Sequence, residues 1–146
     1  MKRKLEVLKL LTWYKHLQEE QAKIRVVNCK INLEKLLKEK DAVISFRKNC
    51  YNTLEKERIL NGEELKYMLF LAERSSEFEN KLSQKIDMQK KELENLLGLL
   101  EKAYKERKLM ETSKNKVQQL WNAENIKKFY REMDDLILLR TGRKHA

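Results

Sequence analysis

LSQKIDMQKKELENLLGLLEKAYKERKLMETSKNKVQQLW, residues 82–121, is the stretch that decides the fold. Steps of four and three from Leu82 visit Ile86, Gln89, Leu93, Leu96, Leu100, Ala103, Arg107, Met110, Lys114, Val117 and Trp121. Of these twelve positions, nine are apolar. Alternating steps of three and four return to one side of a helix, which is the seam by which two helices coil about each other. The positions between are dominated by Lys, Glu, Gln and Asn, as a solvated face requires.

Working outward, only Asn61-Gly62-Glu63-Glu64 reads as a chain reversal. Asn and Gly tolerate the left-handed backbone that ends many helices, and two glutamates suit the positive end of the next helix dipole. The reading is a single coiled-coil domain over residues 1–146, all-α, a long two-helix antiparallel hairpin with helix 2 the longer. Helix 1 spans about 3–60, the turn 61–63, helix 2 about 63–140, and a frayed basic tail 141–146 follows. At 1.5 Å per residue the helices measure about 87 and about 117 Å, so the end of helix 2 should project alone or fold back. Gly98 inside helix 2 is read as a tolerated cost, a close approach or a bend.

Helix 1 is less regular. Leu10, Tyr14, Leu17, Gln21, Ile24, Asn28 and Ile31 form one seam, and the pattern then resets to Leu33, Leu36, Lys40, Val43, Arg47, Cys50 and Leu54. A reset of this kind is a local change of supercoil or a kink.

The bulk composition agrees. The chain has no proline and three glycines, too little punctuation for a many-turned domain. At 41% apolar residues it is too hydrophobic for a disordered polyelectrolyte. Its net charge of +10 is concentrated in residues 1–61, at +7. An excess of cations suits acidic partners, nucleic acid or a membrane surface, but the interspersed acids repel phosphate and weaken the nucleic-acid reading. No uncharged stretch approaches the roughly 20 residues that cross a bilayer. The basic start lacks the uninterrupted apolar run of a signal peptide, so an intracellular protein is expected. Cys29 and Cys50 lie three heptads apart, roughly 31 Å along one helix, too far for a disulfide.

Catalytic patterns are missing. No glycine-rich loop cradles phosphate. His16 and His145 are too few and too far apart for a metal site. No Ser or Cys has a His base beside it. The expectation is no enzyme, no cofactor, no metal and no small-molecule substrate. Two features could carry binding instead. Phe46, Tyr51, Leu65, Tyr67, Met68, Leu69, Phe70 and Leu71 cluster near the turn, too many for one seam to bury. At the chain ends, Lys2, Arg3 and Lys4 join Lys127, Lys128, Arg131, Arg140, Arg143 and Lys144 around Ile126, Phe129, Tyr130, Met133 and Leu136–Leu139.

Leu5-Glu6-Val7-Leu8-Lys9-Leu10-Leu11, Tyr51-Asn52-Thr53-Leu54 with Tyr67-Met68-Leu69-Phe70-Leu71, Ala103-Tyr104-Lys105-Glu106-Arg107-Lys108-Leu109-Met110-Glu111 and Glu132-Met133-Asp134-Asp135 occur in this order. In that order, and over essentially the whole length, the chain resembles the FliJ family of flagellar type III export proteins, related to the stalk proteins of virulence secretion systems. Met110 and Asp135 depart mildly from the leucine and glutamate of the family pattern. The resemblance implies a non-enzymatic stalk and adaptor, cytoplasmic and peripheral to the inner membrane at the flagellar base. Its partners would be the hexameric export ATPase and an export-gate membrane protein, with export substrates or their chaperones besides, and no nucleic acid. By that likeness Lys2, Arg3, Lys4, Lys127, Lys128, Arg131 and Arg140 would enter the ATPase ring, and Tyr51, Tyr67, Phe70 and Leu71 would meet the gate. The alternatives are a generic coiled-coil scaffold or homo-oligomeric tether, and an electrostatic binder of nucleic acid or membrane surfaces.

Overall fold

The computed structural model describes residues 2–56 and 61–145, with side chains to residue 142. Two helices account for nearly all of them: α1, Lys2–Lys56, and α2, Gly62–His145. There are no strands among the described residues. The helices pack antiparallel as a two-helix coiled coil, and α2 is the longer. The expected end of helix 1, residues 57–60, lies outside the described residues. By packing, the chain divides into two units, Met1–Gln21 with Glu101–Ala146, and Ala22–Leu100.

The start of α2 differs from the expected turn at 61–63. Gly62 has no left-handed backbone and is already the first helical residue. Asn61 is the N-cap. Its side-chain Oδ1 accepts the Glu64 amide at 2.8 Å, and its carbonyl accepts the Leu65 amide at 3.1 Å. An asparagine that satisfies the otherwise orphaned amides of a first turn stabilises a helix by about 1 kcal/mol over alanine. Capping therefore decides this junction. Glu63 and Glu64 fall in the first turn, as the dipole favours.

The α2 seam lies where the periodicity puts it. Leu82 and Ile86 are buried, at 2% and 3% exposure. Leu93, Leu96, Leu100, Ala103, Met110, Val117 and Trp121 are half-buried, and so are Gln89, Arg107 and Lys114. The same steps run back through Glu79, Ser75, Ala72 and Met68, all buried or half-buried.

The α1 seam departs from expectation in its first half. The packed seam is Leu5, Leu8, Thr12, Lys15, Glu19, Ala22, Val26, Cys29, Leu33, Leu36, Lys40, Val43, Arg47, Cys50 and Leu54, all buried or half-buried, with Gln18, Ile44 and Thr53 half-buried at its sides. This is one unbroken alternation of threes and fours, so there is no reset. Leu10, Tyr14, Leu17, Ile24 and Ile31 instead stand 41–67% exposed, and Gln21 and Asn28 are exposed too. Four steps of three and four complete two heptads, so a seam fixed at Leu33 is carried back to Cys29, Val26 and Glu19 unless the supercoil breaks. The expected stripe occupies the opposite side of α1. Exchanging Leu10 and Leu17 for glutamine should therefore leave the thermal midpoint within about 0.5 kcal/mol of wild type per site in stability terms, read by circular dichroism.

Gly98 is exposed, and a Cβ added there meets nothing within 4 Å. It provides no close approach. Gly98→Ala should stabilise the protein by up to about 1 kcal/mol through helix propensity alone, measured as a rise in the denaturation midpoint. The tail also differs from expectation. α2 continues through Thr141 and Gly142 to His145, with the Thr141 hydroxyl donating to the Ile137 carbonyl at 2.8 Å. No proline or C-cap motif intervenes to end the helix.

Candidate functional site

In the unit formed by the start of α1 and the end of α2, an ionic layer replaces apolar packing in the seam. Glu19 is only 5% exposed. Its carboxylate accepts from Arg107 Nε at 2.6 Å and from a terminal guanidinium nitrogen at 3.5 Å. Arg107 also donates to Glu111 at 2.8 Å, and His16 Nε2 lies 3.0 Å from the other Glu111 oxygen. A carboxylate only accepts, so Nε2 carries the hydrogen in that contact. Lys15 donates to Glu106 at 3.1 Å. These pairs fix the antiparallel register here. The Glu19 and Glu111 carboxylates push the Arg107 pKa up, so it stays charged.

The hydrogen bond from His16, and then that from Arg107, hold the Glu111 carboxyl below its ordinary value of 4.5. A lowered native pKa adds stability that is complete above the unfolded value and is lost as pH falls through the native one. The thermal midpoint of wild type should therefore fall more steeply than that of Glu111→Gln below about pH 4.5. Glu111 remains a third exposed, which keeps the difference small.

Run on from Lys15–Glu106, the register brings α1 to its start near the Trp121 stretch of α2. Beyond Trp121, every residue from Asn122 to Gly142 is exposed. Lys127, Lys128, Arg131 and Arg140 stand there in water with Ile126, Phe129, Tyr130, Met133, Leu136 and Ile137. The Phe129 and Tyr130 rings meet edge to face with centroids 6.0 Å apart. Lys2, Arg3 and Lys4 are exposed on the first turn of α1, in the same unit.

In the other unit, Tyr51, Tyr67 and Phe70 are exposed, and Leu71 is half-buried. Tyr67 and Phe70 share a face of α2, and the Arg74 guanidinium lies over the Phe70 ring at 5.5 Å, a cation–π contact. Leu71 alone of the four joins an apolar groove, with Val43, Phe46 and Phe78 and with Arg74 and Lys81 at its edge. Nearby, Arg47 pairs with Glu79 and donates to the Ser76 hydroxyl, a second polar layer in the seam. Cys29 and Cys50 are free, buried thiols. The Cys29 thiol donates to the Gln89 side-chain oxygen at 3.4 Å.

Sequence reasoning missed the Lys15, His16 and Glu19 contribution. The signal available was Arg107 itself, a cation inside the α2 seam that requires an acidic partner across it. Among the described residues no cluster of three or more His, Cys, Asp or Glu is placed to hold a metal ion, and no helix is long and apolar enough to cross a membrane. The fold and these surfaces define an antiparallel two-helix coiled coil with two solvent-facing surfaces, one aromatic and one mixing charged and apolar groups. No family model, curated protein or solved structure matches the sequence.

Proposed function

We propose that this chain is a non-enzymatic stalk and adaptor of a flagellar type III protein export apparatus. The observation that carries the reading is the bare end of α2, where residues 122–142 present large apolar groups among four cations and four carboxylates, with every position exposed. With Lys2, Arg3 and Lys4 on the first turn of α1 in the same unit, cations exceed carboxylates at this end, which suits a partner surface that is acidic and partly apolar. In this role Lys2, Arg3, Lys4, Lys127, Lys128, Arg131 and Arg140 engage the hexameric export ATPase. Tyr51, Tyr67, Phe70 and Leu71 engage the export-gate membrane protein, on the cytoplasmic side of the inner membrane at the flagellar base. Export substrates or their chaperones are further partners, with consequences for flagellar biogenesis and motility.

The direct test is co-sedimentation of the purified chain with the export ATPase of its own organism. Stoichiometric binding that weakens with salt is expected, because the docking surface is cationic. Absence of binding at low salt contradicts the reading. A coiled-coil scaffold or tether is the second reading, favoured by the exposed stripe Leu10, Trp13, Tyr14 and Leu17 on the side of α1 away from its seam.

A further inference from the structure

We propose that the end of α2 pairs with the same segment of a second copy of this chain, as an antiparallel coiled coil. The pairing does not rest on the export reading. Ile126, Tyr130, Met133 and Ile137 follow steps of four, three and four, and stand 42–62% exposed. Continued past Trp121, the α1-facing seam meets Glu124, Lys128, Arg131 and Asp135, all polar. The apolar seam of the tail lies half a turn away from them. It is thus a second seam, with its own partner to find. A helix of this length without packing is marginal in water, and a continuous exposed apolar face marks an interaction surface.

The residues flanking the seam choose the occupant. On one flank stand Lys127 and Asp134, and on the other Phe129 and Leu136. In an antiparallel pair each flank meets its own kind. Centred between Arg131 and Glu132, the two-fold axis sets Ile126 against Ile137 and Tyr130 against Met133. Lys127 then meets Asp134 of the second copy, and Phe129 meets Leu136, each contact occurring twice. In a parallel pair the flanks cross, and Phe129 would face Asp134 of the second copy, an apolar ring against a carboxylate. The flanking pattern therefore selects both the partner and its direction.

Analytical ultracentrifugation of the full chain tests this. A reversible dimer of twice 17.7 kDa is expected in the micromolar range. Met133→Glu should give a monomer with unchanged helicity. Asp134→Lys should weaken the dimer by about tenfold through like charges, and Lys127→Asp with Asp134→Lys should restore it. A wild-type monomer at about 100 µM, a dimer indifferent to Met133→Glu, or a double exchange that fails to restore pairing would each overturn the proposal.

Discussion

Ile86→Ala will lower the thermal midpoint by roughly 6–20 °C. Ile86 is 3% exposed at the seam, next to Leu82 at 2%. Truncating such a residue to alanine removes buried methylenes and leaves a cavity, at a cost of about 2–5 kcal/mol. For a chain of this size, 1 kcal/mol moves the midpoint by about 3–4 °C. A two-helix coiled coil has no third layer to relax into the gap, and few of its side chains are this deeply buried. Leu82→Ala should behave alike. The contrast is Leu10, 67% exposed, whose replacement by alanine should move the midpoint by no more than about 2 °C. Differential scanning calorimetry reads both. Equal shifts at Ile86 and Leu10 would mean that α1 meets α2 through the other stripe.

The second large effect concerns docking. Lys128→Glu, Arg131→Glu and Arg140→Glu in one chain should weaken binding to the export ATPase by on the order of a hundredfold. Reversing cations against an acidic surface sets like charges together, which costs several kcal/mol, and 1.4 kcal/mol is tenfold in Kd. The three side chains are exposed; Lys128 and Arg131 lie off the apolar seam of the tail and Arg140 is the step after its last residue, Ile137, so helicity should be retained. Isothermal titration at two salt concentrations separates the charge effect from misfolding. A variant that binds like wild type would remove the tail cations from the interface.

The α2 seam was legible because apolar residues dominate it from Leu82 to Trp121, and Gln89, Arg107 and Lys114 only punctuate it. In the first half of α1, hydrophobicity points the wrong way. Two stripes compete there, and the more apolar one, through Leu10, Tyr14, Leu17, Ile24 and Ile31, is turned to solvent. The seam that packs runs through Thr12, Lys15 and Glu19, since Glu106 and Arg107 across it need charged partners. The unbroken spacing back from Leu33 and the electrostatic complementarity between the helices carried that information, and hydrophobicity along the first half of α1 did not. Asn61 shows the same limit at the junction. Its residue type points to tolerance of left-handed backbone, yet it works as a side-chain acceptor. The exposed aromatics near the turn and the bare charged and apolar end of α2 were legible as residues that one seam could not bury. What touches them lies in their partners' sequences.

The most direct test of the proposed role is ring assembly and ATP turnover by the purified export ATPase, with and without this chain at equimolar concentration. If the end of α2 docks in the ring, hexamers should accumulate at lower ATPase concentration and turnover per ATPase should rise, both reversed by the Lys128, Arg131 and Arg140 exchange. Unchanged hexamer formation and unchanged turnover with wild-type chain would contradict the account.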